Sequence, residues 1–275
     1  VIKIGYGTYG MQDVDIFEAL PLLKAIGYEA IEICAADGWP TKPSGLSPQK
    51  RARLRSEIEQ MGFPPAVIMT LSSPCATGAG RGGMLTEFED ACCLANDLNY
   101  TSDPAIVTST LGGEQPAWET GKGRIAACLI ELADIAAKYN VVYAIEPHVG
   151  GAIDTPQKAS WLMRETDHAS LKLNFDYSHF HVQGIDLEEC LREVAPYAVH
   201  AHIKDGHMDN GNVVFTLPGE EGLDLAAFFF SLERIGFVPP VCVEVSGMVW
   251  KQPGYEPWLA ARQCYDALAS AQARE

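Results

Sequence analysis

Two hydrophobic patterns alternate along the chain. Short runs of apolar, often β-branched, residues recur at Ile2–Gly7, Tyr28–Cys34, Pro65–Thr70, Ala105–Thr108, Val141–Glu146, Leu171–Phe175, Val199–Ile203 and Val241–Val245. Between them, apolar residues return at helical spacing, most clearly at Ile125, Cys128, Leu129, Leu132, Ile135 and Ala136. Helix punctuation falls in the right places. Asp13 offers an N-cap for a first helix with Ile16, Leu20, Leu23 and Ile26 on one face, and Gly27 stops it. Pro21 is expected to kink or shorten that helix. Ser47-Pro48 opens the second helix, to Met61, and Thr86 is read as the cap of the third, to Leu98. Thr155-Pro156 and Asp186 open the fifth and sixth. The seventh runs from Leu223 to Ile235, and the last from Glu256-Pro257 to Ala269. The glycine-rich stretches 72–83 and 109–120 read as loops, and Asn210-Gly211 as the turn of a short hairpin.

Strand followed by helix, eight times in 275 residues, predicts the α/β class and a single (β/α)8 TIM barrel over residues 1–275. The alternative is an open doubly wound sheet. Its glycine-rich first turn has a loose counterpart in Gly5-Tyr-Gly7-Thr-Tyr-Gly10, but the acid that should follow at the end of the second strand has no clean match. That stretch is therefore read as a flexible first loop. No GxxxxGK[ST] motif occurs.

A net charge of −16 argues against nucleic-acid partners and against an anionic membrane surface. No apolar run approaches the roughly 20 residues of a membrane span. The eight cysteines are scattered, without CxxC, and mostly lie inside apolar runs, as in a reduced, cytoplasmic protein. The sequence opens directly into a strand-like run with no leader pattern, which agrees with that location.

The chemistry gathers at strand ends. The last four apolar runs deliver Glu146, Asp176, His202 and Glu244 at matching positions. In a parallel barrel these ends are neighbours on the C-terminal face, where catalytic groups sit. Three carboxylates and one imidazole suit Mn²⁺ or Mg²⁺, with Co²⁺ also admissible, better than a thiolate-rich zinc site would. An acid at the end of a buried strand is costly unless positive charge compensates it, and one divalent ion would serve all of them. Lys204 is a candidate to hold an enolate oxygen, or to pair with a strand-end acid. Glu32 and His148 are candidate substrate contacts, each weighed against a packing role. His200 shares the inward sense of His202 one layer lower and reads as a core histidine. Trp39, Trp118 and Trp250 are candidate stacking surfaces for a sugar ring. Arg81 reads as part of a solvated loop. Phe228-Phe-Phe230 is more aromatic surface than one helix face buries, so a homo-oligomer is expected.

The runs Gly27-Tyr-Glu-Ala-Ile-Glu32, Ile145-Glu146-Pro147-His148, Phe175-Asp176-Tyr-Ser-His179, His200-Ala-His202-Ile-Lys204-Asp205, Pro218-Gly-Glu220-Glu-Gly222 and Val243-Glu244 carry a family likeness. Through them nearly the whole chain resembles the sugar phosphate isomerase/epimerase superfamily, the xylose isomerase-like TIM barrels. The resemblance implies metal ligands at Glu146, Asp176, His202 and Glu244, with Glu146 and Glu244 doubling as acid and base. It implies His179 beside the metal, a candidate catalytic residue in contact with substrate or leaving group, weighed against a role in orienting Asp176, and Lys204-Asp205 with the Gly-Glu-Gly stretch along the rim. Two positions depart from the ketose 3-epimerases of that superfamily: Ala152 stands where they carry a glutamate, and Met208 where they carry an arginine. The endonuclease IV branch needs a basic face that this charge denies. The expected activity is metal-dependent isomerisation or epimerisation of a small keto or aldo sugar through an enediolate. A lyase acting on a keto-cyclitol or 3-keto-glycoside is the alternative, and a non-catalytic sugar-binding barrel the reading from another class.

Overall fold

Inside a small parallel barrel, alternate residues of eight strands compete for one narrow axis, so some must be small. β1 (Ile4–Gly7) meets that demand with Gly5 and Gly7. In a computed structural model that describes residues 1–273, a Cβ on Gly5 would lie 2.3 Å from Cys242 Sγ and 3.1 Å from Ala30 Cβ. A Cβ on Gly7 would lie 3.1 Å from the Val243 carbonyl and 3.2 Å from Glu32 Oε1. The first glycines are therefore fully buried strand residues, and the flexible first loop expected there is corrected. Only Thr8–Gly10 beyond them leaves the strand, as a 3₁₀ turn.

The remaining barrel strands are β2 (Ala30–Cys34), β3 (Val67–Met69), β4 (Ala105–Ser109), β5 (Val141–Ile145), β6 (Leu171–Asp176) and β7 (Ala198–Ile203). A hairpin, β8 (Asp205–Asp209) and β9 (Asn212–Thr216), precedes the last barrel strand, β10 (Val241–Val243). The barrel closes in the order β1-β10-β7-β6-β5-β4-β3-β2, and every barrel pairing is parallel. This is the (β/α)8 fold expected. The hairpin turns at Asn210 and Gly211, both at positive φ, the backbone that an Asn-Gly pair favours.

Helices α1 (Ile16–Ile26), α2 (Pro48–Gln60), α3 (Ala79–Leu98), α4 (Trp118–Lys138) and α5 (Pro156–Thr166) come first in the chain. After them come α6 (Ser178–His181), α7 (Leu187–Glu193), α8 (Leu225–Arg234), α9 (Gly247–Trp250) and α10 (Pro257–Gln272). Ser47, Thr155 and Asp186 cap α2, α5 and α7 as read from the sequence. Asp15, rather than Asp13, caps α1 by accepting from the Phe17 amide at 2.8 Å. Pro21 does not shorten α1, which runs on to Ile26. α3 begins at Ala79, well before Thr86, whose hydroxyl donates to the Gly82 carbonyl inside the helix at 3.1 Å. Met84, Phe88 and Ala91 tie that glycine-rich first part to the core, so tertiary packing outweighs its low helix propensity. Of the aromatic triplet on α8, Phe228 and Phe229 are buried and Phe230 is 59% exposed. No helix among the described residues is long and apolar enough to cross a membrane.

Candidate metal and catalytic site

β5, β6, β7 and β10 are consecutive around the barrel, and each ends in an inward-facing polar side chain. Asp176 closes β6, while Glu146, Lys204 and Glu244 lie at or just beyond the ends of their strands. An irregularity between β6 and β7 sets the register. Leu173 pairs with Ala198 and Asn174 with His200, so Val199 is skipped and Asp176 comes to stand beside His202.

Glu146, Asp176, His179 and Glu244 offer donor atoms that all lie within 4.8 Å of one another. Glu32, His200 and His202 form a second group of the same kind. His202 joins the two. Its Nδ1 is 3.0 Å from Glu146 Oε2 and 3.3 Å from Glu244 Oε2, and its Nε2 is 2.8 Å from Glu32 Oε2. The set Glu146, Asp176, His202 and Glu244 is thus contiguous, and His179 Nε2 lies beside it, 2.9 Å from Glu146 Oε1 and 3.7 Å from Asp176 Oδ2.

Lys204 is buried among these acids, donating to Asp176 and, at 2.7 Å, to Glu244 Oε2. The Phe215 ring, carried in by the hairpin, lies 5.1 Å from Lys204 Nζ and 5.1 Å from the His179 ring. Asn174 Nδ2 donates to Glu146 Oε2 at 2.7 Å and sits 3.0 Å from His202 Nδ1. His179 Nε2 is 2.9 Å from Glu146 Oε1. His148 packs its ring 3.9 Å from that of His179 and bonds the Val149 carbonyl through Nδ1 at 2.7 Å, so it is half-buried next to the acids.

Burial pushes each carboxyl toward its neutral form, yet the cations outweigh it. His202 holds Glu146 well below the usual carboxylate range, with help from His179 and Lys204. Lys204 lowers Asp176 and Glu244, and His202 with His200 holds Glu32 at about 2 against its burial. Burial would lower His202, but Glu32 and Glu146 raise it well above an ordinary imidazole. Lys204 is raised in the same way, burial being outweighed by Asp176 and Glu244. Four ionised acids therefore share two cationic side chains. The surplus of negative charge, on hard oxygen donors, is what a divalent ion compensates. The residues present fit such an ion.

Other candidates lie elsewhere. Glu32 is fully buried beneath His202 and pairs with His200 and His202, the structural pairing weighed against a substrate contact. Trp118 packs on Trp161, ring centroids 5.2 Å apart. Trp39 and Trp250 do meet, with Tyr9 stacked on Trp39 at 5.4 Å and edge-on to Trp250 at 5.6 Å. Burial and then the Glu244 charge raise the Tyr9 hydroxyl. Arg81 is part of α3, bonded to the Ala76 carbonyl at 3.2 Å and paired with Glu131. Asn174, Tyr9 and Phe215 were missed from sequence. For Asn174 the signal was present, a polar residue two positions before Asp176 and so of the same inward sense.

Asp205 fixes the rim. Its carboxylate accepts from the amides of Gly206 (2.8 Å), Gly219 (3.2 Å), Glu221 (3.0 Å), Gly222 (3.2 Å) and Leu223 (3.3 Å). One buried anion thus ties the end of β7 to the loop before α8.

A parallel barrel with an acid-rich cluster at its strand ends defines the class: a barrel whose mouth offers a set of donors suited to a divalent ion. The chain belongs to the xylose isomerase-like TIM-barrel family, whose model matches residues 20–267. It is similar to the inosose isomerase of Bacillus velezensis, 30% identical over 273 residues that cover 94% of each chain. It is likewise similar to the inosose isomerase of Bacillus licheniformis, 31% identical over 247 residues, 86% of this chain and 85% of that one. A crystal structure of the IOLI protein with a bound zinc atom matches with a TM-score of 0.78 at 22% identity over 98% of this chain and 99% of that one, a likeness of fold.

Proposed function

We propose that this protein is a divalent-metal-dependent isomerase or epimerase of a small keto sugar, with an inosose-like cyclic polyol ketone as its substrate. The observation that supports this most is the convergence of Glu146, Asp176, His179, His202 and Glu244 around one point at the barrel mouth. The two inosose isomerases, alike over most of their length, favour a cyclic substrate. So do Ala152 and Met208, which stand where open-chain ketose 3-epimerases would carry charge. Ala152 is tied into a loop through Gln115, and Met208 lies exposed on the hairpin.

Glu146, Asp176, His202 and Glu244 would hold the ion, with His179 alongside. Mn²⁺ or Mg²⁺ suits these donors, and Co²⁺ is admissible. When bound, the ion polarises the substrate carbonyl and acidifies the neighbouring C–H. Glu244 is the best-placed acid to take that proton: it is the most exposed of the cluster, whereas Glu146 is held by three donors. Lys204 carries its ammonium 2.7 Å from Glu244 and stabilises the enolate oxygen that forms. Return of the proton to the adjacent carbon moves the carbonyl along the ring. Delivery of a different proton to the same carbon from the opposite face, with Glu146 as the second acid/base, inverts it, and Glu244 keeps the proton it took. Phe215 and the Tyr9, Trp39 and Trp250 wall exclude water and present apolar faces to the ring. A cytoplasmic, homo-oligomeric protein is part of this proposal.

The test is incubation of the Mn²⁺-loaded protein with a panel of inososes and ketoses in D₂O, followed by mass spectrometry and NMR. Deuterium uptake without loss of water supports the proposal, and loss of water or of an aglycone replaces it with a lyase. Glu244→Gln should abolish exchange while retaining the fold. No exchange with any member of the panel leaves a binding barrel.

A further inference from the structure

We infer that Glu32, with His200 behind it, is the positioning device that fixes the ring orientation of His202. This rests on the proposal that His202 faces a divalent ion. Glu32 Oε2 accepts from His202 Nε2 at 2.8 Å and from His200 Nε2 at 2.7 Å. All three side chains are buried to 1% exposure or less. A carboxylate oxygen that accepts from both imidazoles requires a proton on Nε2 of each. With Nε2 committed downward, the atom of His202 left to face Glu146 and Glu244 is Nδ1, at 3.0 and 3.3 Å.

Neighbouring groups reinforce that choice. A flip of the His202 ring would turn carbon toward Glu32 and strip a buried carboxylate of a partner, which is costly. His200 holds Glu32 from below and closes the layer beneath the site. Gly7 makes the room: a Cβ there would sit 3.2 Å from Glu32 Oε1. A histidine ligand normally donates its second N–H to a carboxylate, which sets its tautomer and raises its basicity. Glu32 is built to be that carboxylate, three strands around the barrel from His202. It therefore acts through His202 and does not touch substrate.

The experiment compares wild type, Glu32→Ala, Glu32→Gln and His200→Gln by titration calorimetry with Mn²⁺ and by NMR of ¹⁵N-histidine-labelled protein, with and without Zn²⁺. In wild type with Zn²⁺, His202 should keep a slowly exchanging, downfield Nε2 proton while Nδ1 shows the shift of a coordinated nitrogen. Glu32→Ala should lose that proton signal and weaken Mn²⁺ binding by about 10- to 100-fold, the usual cost of such a partner. His200→Gln keeps an N–H donor for Glu32 and should restore near-wild-type affinity. If Glu32→Ala does not fold, Glu32→Gln, which keeps one acceptor oxygen, should give an intermediate loss. Unchanged affinity and an unchanged Nε2 proton in the folded Glu32 variants would overturn the inference. So would two ions bound by wild type with one lost in Glu32→Ala, because Glu32 would then be a ligand. A wild type that binds no ion sinks the proposed function instead; the downfield Nε2 protons of His200 and His202, lost in Glu32→Ala, still test the pairing without any metal.

Discussion

Gly5 offers a clean test of why the barrel can close. An added methyl would meet Cys242 Sγ at 2.3 Å and Ala30 Cβ at 3.1 Å. The first distance is far inside van der Waals contact, and both neighbours sit on hydrogen-bonded strands, β10 and β2, flanking β1. Gly5→Ala should therefore destabilise by about 1–3 kcal/mol through overpacking, less about 0.4–1 kcal/mol gained from a stiffer unfolded chain. Cys242→Ala alone removes a buried sulfur and should cost about 1–2 kcal/mol, at the lower end of core truncations. In the double variant the missing sulfur leaves room for the new methyl, so the two losses should not add. A favourable coupling of at least about 1 kcal/mol is expected, within the range for residues in contact. Urea titrations followed by circular dichroism on the four proteins give the cycle, provided the slopes agree. Strict additivity would refute the claim that Gly5 is small because Cys242 faces it. So would a Gly5→Ala protein as stable as wild type.

Further outcomes follow from the same geometry. Asp205→Ala removes the acceptor for five amides and should speed hydrogen exchange at Gly219, Glu221 and Gly222 by about 30- to 100-fold, the equivalent of about 2–3 kcal/mol of local stability; unchanged protection there would refute the anchoring role. Divalent-ion affinity should rise with pH. The His202 imidazole is held protonated above its usual range, so an ion must displace that proton, and acid favours the proton. Calorimetry in two buffers of different ionisation enthalpy reads the proton release, and a pH-independent affinity would contradict it. Glu146→Gln and Asp176→Asn should each lose most of the Mn²⁺ binding, and unchanged affinity in both would remove the metal centre. Phe215→Leu should lower kcat more than it changes KM, because the ring touches Lys204 and His179 in the heart of the site; a pure KM effect would place Phe215 on the substrate alone.

Most of the barrel was legible because its strands are short apolar runs and its helices are punctuated by Ser, Thr, Asp and Gly in their usual roles. The polar strand ends were legible for the same reason: an acid after Val-Tyr-Ala-Ile or Leu-Asn-Phe has no local explanation. What escaped was set by packing between distant segments. The start of α3 carries Gly80, Gly82 and Gly83, which local propensity assigns to a loop, and only its neighbours hold it helical. Phe215 and Tyr9 reach the site from a hairpin and a turn whose placement no local pattern encodes. Glu32 was open between substrate contact and structural pairing because it is an acid within an inward-facing strand, and only the depth of His200 and His202 shows what its carboxylate meets. Gly5 and Gly7 looked like slack where the structure has none.

The rim anchor has a mechanical corollary. Asp205 is the residue immediately after Lys204, so the hairpin, the loop before α8 and the ammonium at the heart of the cluster all pivot on one stretch of backbone. A substrate that pulled the rim inward would tug that lysine with it. Grip at the edge and charge placement at the centre would then be one movement, and recognition of a correctly shaped sugar would itself set the site for proton transfer.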